Sequence, residues 1–343
     1  MSAPTTEISI QDQAPKLLSH AAGYASHRTI AMGLRNGLIE VLAEDEAGLT
    51  PDQLAATLDL DPYYVDVWCR SALGAGVCER DGDRYRLAAH METLLLDRTS
   101  PAYVGGVFHV FEQHEMFDRF EQEFGSGERL WWDATSPDWI AGVAGTGTPF
   151  YTRLIPGGLS QVPGLDERLA GGGRIVDTAC GAGNGLIRLA EHYPGCEIVG
   201  VDGDAYSIDL AEKRLTEAGE GERVTLHVQP LERLHLDEPA TLVINNISMH
   251  ECRDIDDATR RIHDALEPGG WFVISDFPYP ESDEGLASVP GRIMSGIQFF
   301  EAQIDDQLLP RRVYDDLLER HGFTDLGAVD LTPVHALTWG RRR

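Results

Sequence analysis

The chain has almost no lysine, and its few cysteines form no recognisable pair. Lys16 and Lys213 are the only lysines, so arginine supplies nearly all of the 28 basic residues. The five cysteines are widely spaced and include no C-x-x-C pair, which argues against a zinc site and against a disulfide framework. We therefore expect reduced, mostly buried thiols at Cys69, Cys78, Cys180, Cys196 and Cys252.

Long apolar runs are also absent. The sequence contains no stretch of about 18 apolar residues, the length that a membrane-spanning helix needs. Residues Met1–Gln13 are polar and lack the basic region and apolar run of a secretory signal. These absences predict a cytoplasmic protein with no membrane partner.

Acidic residues outnumber basic ones by 56 to 28, which gives a formal net charge of -28. A distributed acidic surface with little lysine is typical of a salt-rich cytoplasm, where screening relieves self-repulsion. High genomic G+C content would also replace lysine by arginine, although it would not explain the net charge. Because a polyanion is bound by clustered cations, we expect no nucleic-acid partner.

The N-terminal third, residues 1–99, shows three helical patterns followed by a hairpin. The first pattern spans Ala22–Leu42, and Thr50-Pro51 and Asp61-Pro62 are typical starts of the next two helices. Asp81-Gly82 separates two β-like runs, as in a β-hairpin. This order is a winged-helix pattern. Its third helix, Pro62–Ala72, is not basic, which disfavours DNA binding.

The middle segment, residues 100–170, is rich in aromatic residues. The spacing predicts a helix over Val107–Phe124, and periodic aromatic side chains are compatible with either a core or a ligand pocket. His109 and His114 are five residues apart and do not share a helix face, so no metal pair is expected there. Large aromatic residues of this segment include Phe108, Phe117, Phe120, Phe124, Trp131, Trp132, Trp139, Phe150 and Tyr151.

The most informative stretch is the small-residue turn after Ile175-Val176. Asp177 ends an apolar run, and Ala179, Gly181 and Gly183 would let the backbone approach a ligand closely before a helix begins. A second apolar run ends in Asp202, about 20 residues beyond the turn, where a carboxylate can accept both hydroxyls of a ribose. The combination indicates a nucleoside ligand.

The C-terminal part, residues 171–343, alternates β-like and helical patterns and ends in two β-like runs. Such alternation predicts an α/β fold with a doubly wound, seven-stranded, Rossmann-like sheet. The expected strands are Ile175–Val176, Cys196–Val201, Arg223–Val228, Thr241–Asn246, Trp271–Asp276, Thr324–Leu331 and Val334–Trp339.

The pattern Asp177-x-Ala179-x-Gly181-x-Gly183 resembles motif I of class I S-adenosylmethionine-dependent methyltransferases, with Ala179 in place of the first glycine. Leu266–Trp271 resembles the turn before strand five in that superfamily. The winged-helix pattern adds a resemblance to small-molecule O-methyltransferases, in which this domain forms a homodimer and helps to close the partner's pocket. The resemblance implies S-adenosylmethionine as cofactor, bound by Asp177, Ala179, Cys180, Gly181, Gly183, Asp202, Gly203, Gln229, Leu231 and Asn246.

The resemblance also implies a catalytic base at His250, with Asp276 orienting its ring and Glu251 in the place of the family's acid. Three alternatives remain: a histidine that only packs, one that contacts the cofactor, and a metal site formed with a carboxylate, although no metal is expected. The predicted acceptor is a small, aromatic, hydroxylated metabolite. Its pocket is predicted to include Phe108, His109, Tyr151, Met294 and Gln298.

Methyl transfer to carbon or nitrogen by the same fold is an alternative function. A non-catalytic winged-helix regulator that senses a ligand is another, and it would need a basic face on the N-terminal domain.

Overall fold

The computed structural model describes residues 9–130 and 147–343. Two compact units divide the chain, Met1–Glu112 and Gln113–Arg343. Trp131, Trp132 and Trp139 of the predicted aromatic segment, and the first eight residues of the predicted polar N-terminus, lie outside the described residues.

The N-terminal unit contains helices at the three predicted places, followed by a two-stranded antiparallel hairpin. The predicted pattern over Ala22–Leu42 is divided between two helices, because the chain turns at Gly37, whose φ is +74°. Thr50 begins one helix with a capping box, and the Asp61 carboxylate accepts the Tyr64 N–H at the start of the next. Ile39, Leu54 and Cys69 are fully buried in the core of this unit. Its elements are α1 (Ile10–Arg35), α2 (Leu38–Ala43), α3 (Pro51–Leu58), α4 (Pro62–Gly74), β1 (Cys78–Asp81), β2 (Arg84–Leu87), α5 (Met91–Leu95) and α6 (Gly105–Val110).

The predicted continuous helix over Val107–Phe124 is wrong. The structure has two helices here, α6 and α7 (His114–Gln122), and the chain leaves helical geometry between them. Glu112 lies in this break, and its buried carboxylate pairs with Arg28 and Arg35 of α1. These ion pairs tie the end of α6 to the first unit, so the helix is interrupted where one unit ends and the next begins.

The C-terminal unit contains the predicted seven-stranded sheet. Its strand order is β5-β4-β3-β6-β7-β9-β8, in which β9 runs antiparallel to β7 and β8. The reversal of strand order between β3 and β6 creates the crevice where ligands bind in open α/β sheets. The strands are β3 (Gly173–Asp177), β4 (Cys196–Asp202), β5 (Val224–Val228), β6 (Ala240–Asn246), β7 (Leu266–Asp276), β8 (Thr324–Thr332) and β9 (His335–Arg341).

Two apolar layers cover the faces of this sheet. Leu186 and Leu189 pack with Ile175 in one layer, and Ile262 and Leu317 pack with Phe272 in the other. No helix among residues 9–130 and 147–343 is both long and apolar enough to cross a membrane. The remaining helices are α8 (residues 147–153), α9 (Leu165–Ala170), α10 (Asn184–His192), α11 (Ala205–Glu217), α12 (Ile255–Ala265), α13 (Asp283–Ala287), α14 (Val289–Glu301) and α15 (Arg311–Arg320).

Candidate active site

The small-residue turn lies between β3 and α10, at the carboxyl edge of the sheet. Gly181 and Gly183 have φ values of +48° and +83°, a backbone conformation that favours glycine. A Cβ on Gly183 would lie 3.0 Å from the Ala211 Cβ, whereas a Cβ on Gly181 would meet no atom within 4 Å. Gly183 therefore serves close packing on α11, and Gly181 leaves open space beside the turn.

Asp202 ends β4 with its carboxylate directed at this turn. Its Oδ2 accepts the Gly181 N–H at 2.8 Å and its Oδ1 accepts the Asp204 N–H at 2.9 Å. Burial raises the pKa of Asp202, while these two backbone donors lower it. Since each oxygen accepts a single donor, each keeps a lone pair for a ribose hydroxyl. Cys180 is anchored beside it, because its N–H donates to the Val201 carbonyl at 3.0 Å.

Tyr151 of α8 holds the motif acid from the other side. Its hydroxyl lies 2.7 Å from Asp177 Oδ2 and donates to it, and the Ala179 N–H donates to Asp177 Oδ1 at 3.3 Å. Asp177 is completely buried, and burial raises its pKa to about 7 despite these hydrogen bonds. The Tyr151 ring lies against Gly185, where a Cβ would come within 2.2 Å of the ring. Tyr151, which was predicted to line the acceptor pocket, thus contacts Asp177, the acid of the small-residue turn.

Three further predicted cofactor residues lie around the ends of β4 and β5. The Gln229 N–H donates to the Asp202 carbonyl at 2.8 Å, and its side-chain oxygen accepts the His235 N–H. Gly203 lies beside Pro230, and Leu231 is 9 % exposed. At the end of β5, Gln229 and Leu231 therefore offer an amide and an apolar side chain.

His250 and Asp276 meet at the carboxyl ends of β6 and β7. His250 Nδ1 lies 2.9 Å from Asp276 Oδ2, and both side chains are buried. Asp276 also accepts the Tyr314 hydroxyl at 2.6 Å and the Phe277 N–H at 2.8 Å. An ionised carboxylate is an acceptor, so the Nδ1 atom of His250 carries the proton that it donates, and Nε2 faces away from Asp276.

The turn that carries His250 begins with a strained residue. Ile247 has φ +50°, which is unusual for a β-branched side chain. Its N–H donates to the Ser275 carbonyl at 2.7 Å, which ties the turn to β7. This tie fixes where the chain leaves the sheet and hence where the imidazole lies.

Further acids surround the imidazole. His250 Nε2 lies 3.6 Å from Glu301 Oε2, and neither atom has a hydrogen-bond partner. Burial lowers the pKa of His250, but the charge and hydrogen bond of Asp276 and the nearby carboxylate of Glu301 outweigh burial, and the net shift is upward. Burial and neighbouring acids raise the pKa of Asp306 to about 8, and raise that of Glu251 well above its usual range although His250 lowers it.

Comparisons with known proteins agree with this geometry. A family model described as a methyltransferase domain matches residues 175–270, from β3 into β7. The ubiquinone/menaquinone biosynthesis C-methyltransferase of Syntrophotalea carbinolica is 29% identical over 177 residues, 48% of this chain and 74% of that protein. Residues 175–270 therefore form a methyltransferase domain, and the chain is an S-adenosylmethionine-dependent methyltransferase.

Solved structures share the fold of this methyltransferase. The S-adenosylmethionine-dependent methyltransferase SibL is similar with a TM-score of 0.73 at 18% identity, covering 95% of this chain and 98% of that one. Human N-acetylserotonin methyltransferase, solved with S-adenosylmethionine, has a TM-score of 0.70 at 16% identity, covering 99% of both chains. The open space at Gly181 and the inward carboxylate of Asp202 fit this cofactor.

Asn246 of the methyltransferase is oriented by a buried relay. The Arg153 guanidinium donates to His335 Nδ1 at 3.0 Å, His335 Nε2 lies 2.8 Å from the Ser275 hydroxyl, and that hydroxyl donates to Asn246 Oδ1 at 2.7 Å. Burial and the Arg153 charge hold the pKa of His335 well below its usual range, so its ring is neutral. The relay leaves Asn246 Nδ2 buried without a partner.

The predicted pocket residues lie in different places. Met294 is buried on α14 against Phe150 and Phe277. The Gln298 side chain accepts the Leu308 N–H at 2.8 Å and donates to the Asp306 carbonyl, so it fixes the loop after α14. Phe108 and the exposed His109 belong to α6 of the N-terminal unit.

Sequence reasoning assigned no role to Asp306 or Tyr314. It named Glu301 only within Ala287–Gln303, a segment that either lines the acceptor pocket, as in the resembled family, or packs on the sheet. Glu301 had one local signal, an acid directly after Phe299-Phe300 on an otherwise apolar helix end. Tyr314 had none, because its contact with Asp276 joins residues 38 positions apart.

Proposed function

We propose that the chain transfers the methyl group of S-adenosylmethionine to the oxygen of a small, hydroxylated aromatic acceptor. His250 is the proposed base, and Asp276 is the residue that positions it. The observation that carries this proposal is the bond from His250 Nδ1–H to Asp276, because it leaves Nε2 as the ring nitrogen that can take up a proton.

The cofactor supplies a methyl group that is already activated on a sulfonium. The chain has to align the acceptor and remove its hydroxyl proton. Asp276 keeps the imidazole in one tautomer, since Tyr314 and the Phe277 N–H hold the carboxylate in place. The pKa of His250 is raised, so the difference between it and the higher pKa of a phenol is smaller. This smaller difference favours transfer of the phenol proton to Nε2.

An apolar cluster beside the His250 turn supports an aromatic acceptor. Phe150 and Phe277 meet edge to face with centroids 4.8 Å apart, and Met294 and Leu308 complete the cluster. Ile247, three residues before His250, packs against the same cluster. A flat ring placed there would have its hydroxyl within reach of the turn that carries the imidazole.

The proposal is tested in two steps. Calorimetry with S-adenosylmethionine should show binding to one site per chain. Radiolabelled cofactor and a panel of phenols and catechols should then give an O-methyl product, and His250→Ala should lower kcat by about 10²-fold or more. The matched control is His192→Ala, an exposed histidine at the end of α10, which should behave as wild type. Full activity of His250→Ala, or methylation at carbon or nitrogen alone, would reject the base.

We also propose that the N-terminal unit is a winged-helix domain that forms a homodimer. Apolar side chains of α1 are exposed in the single chain: Ile10 is 83% exposed, Leu17 70% and Leu18 68%. Such a surface is typical of an interface. Light scattering should give twice the mass of the chain for the wild type. The double substitution Leu17→Glu with Leu18→Glu should give a monomer, and Ser19→Glu, a control at an exposed polar position, should remain dimeric.

A further inference from the structure

The group of side chains around His250 Nε2 contains more than a proton acceptor needs. The ligand atoms of His250, Glu251 and Glu301 all lie within 4.8 Å of one another. His250 Nε2 and Glu301 Oε2 are buried, face each other at 3.6 Å and lack hydrogen-bond partners. Buried polar atoms are normally paired, so two unpaired atoms that face each other indicate a missing ligand.

The spacing of these atoms suits a metal ion. Bonds of about 2.0–2.2 Å from one ion to nitrogen and oxygen place neighbouring ligands roughly 3–3.5 Å apart. The Nε2–Oε2 distance of 3.6 Å is close to this value. All three ligand atoms lie within 4.8 Å of one another, so the more distant pairs would have to come closer together to hold an ion.

The surroundings of the imidazole also resemble those of a metal ligand. A metal-bound histidine usually donates its other ring N–H to a carboxylate, which fixes the ring and raises its basicity. His250 Nδ1 has such a partner in Asp276, and Tyr314 holds Asp276 in turn. The ring is thus fixed with Nε2 directed at Glu301.

Charge favours a cation over an anion or a neutral group. The carboxyl groups of Glu251 and Glu301 lie within 4.8 Å of the His250 imidazole, and the Asp276 carboxylate is bound to the other ring nitrogen. A divalent ion between these ligand atoms would compensate the negative charge of the carboxylates.

We propose that His250, Glu251 and Glu301 bind a divalent first-row transition-metal ion at His250 Nε2. One imidazole with two carboxylates suits Mn²⁺ or Fe²⁺ better than Ca²⁺, which binds oxygen ligands in larger number. This proposal rests on the proposed function only in that both concern the site around His250. An ion and a hydroxyl proton compete for the same lone pair of Nε2, so a bound ion stops His250 from acting as the base.

The first test measures binding without turnover. Mn²⁺ is titrated into the chelator-treated full chain in the presence of a tenfold excess of Ca²⁺, which occupies surface sites made of oxygen ligands alone, and free Mn²⁺ is followed by electron paramagnetic resonance. We expect one tight site in the wild type and an affinity about tenfold or more lower in Glu301→Gln and in Glu251→Gln. Glu284→Gln, at an exposed position on α13, is the matched control and should bind as wild type. Thermal unfolding verifies that each variant is folded.

No tight site in the wild type, or equal Mn²⁺ affinity in Glu301→Gln and wild type, would overturn the metal site. A second measurement separates this outcome from failure of the proposed function. The chelated wild type should transfer methyl groups, and Mn²⁺ should inhibit it more strongly than it inhibits Glu301→Gln, each compared with its own chelated rate. If Mn²⁺ binds and instead activates, the ion site stands and the role of His250 as a free base is wrong.

Discussion

Removing the Tyr151 hydroxyl tests whether Asp177 depends on the bond that α8 supplies. Tyr151→Phe keeps the ring against Gly185 and removes the donor 2.7 Å from Asp177 Oδ2. A buried acceptor left without its partner costs about 1–3 kcal/mol. We therefore expect the variant to be less stable by that amount at pH values where Asp177 is ionised.

The loss of stability should depend on pH. In the folded chain the pKa of Asp177 is about 7, above that of an unfolded aspartate, so the folded state binds more protons between roughly pH 4 and 7. The contribution of Asp177 to the free energy of unfolding is fully present below the unfolded pKa, and it is lost as the pH rises through 7. Without the Tyr151 donor the folded pKa rises further, so the loss continues to higher pH. The difference between Tyr151→Phe and wild type should thus be small at pH 6 and largest above pH 8.

Urea unfolding at several pH values measures this difference, and Tyr193→Phe is the matched control. The Tyr193 hydroxyl is also buried but has no hydrogen-bond partner, so its removal breaks no bond. Calorimetry should in addition show S-adenosylmethionine binding about tenfold weaker in Tyr151→Phe, equivalent to about 1.4 kcal/mol. Equal unfolding free energies for the two variants at pH 8.5, together with wild-type cofactor affinity, would refute the reasoning.

Three further changes test the cofactor turn and the base. Asp202→Ala should weaken S-adenosylmethionine binding at least tenfold in calorimetry, while Asp209→Ala, on the exposed face of α11, should leave it unchanged. Gly183→Ala should destabilise the fold by about 1–2 kcal/mol in chemical unfolding, because its φ is +83° and the new Cβ would meet Ala211. Tyr314→Phe removes a donor to Asp276, and kcat for the methylated acceptor should fall while KM changes little.

The sheet could be predicted because its strands carry local patterns. Apolar runs that end in polar residues mark β3, β4 and β6, and the glycines after β3 have positive φ, as a tight turn before a helix requires. The same local signals placed Asp177, Asp202 and Asp276 at the ends of β3, β4 and β7, and His250 just after the end of β6. Parallel strands bring their carboxyl ends to one edge of the sheet, so the sequence alone places these residues along the same edge.

Other parts of the site depend on contacts that leave no local pattern. Glu301 reaches His250 from a helix 51 positions along the chain, and Arg153 reaches His335 across 182 positions. The break between α6 and α7 was missed for a similar reason. The aromatic spacing is helical throughout, but the Glu112 carboxylate is bound by arginines of α1, which the spacing does not show.

The unpaired buried atoms at the ends of β6 and β7 are linked by what holds them in place. Asn246 Nδ2 is oriented through Ser275, His335 and Arg153, and His250 Nε2 is oriented through Asp276 and Tyr314. A buried polar group without a partner costs about 1–3 kcal/mol, and a fold gains nothing by fixing such a group unless something binds it. Asn246 Nδ2 is a donor and Glu301 Oε2 is an acceptor, so the first atom needs an acceptor group and the second needs a donor or a cation. The hydroxyl oxygen of a substrate bound beside the cofactor could accept the hydrogen bond of Asn246 Nδ2. A cation could bind Glu301 Oε2.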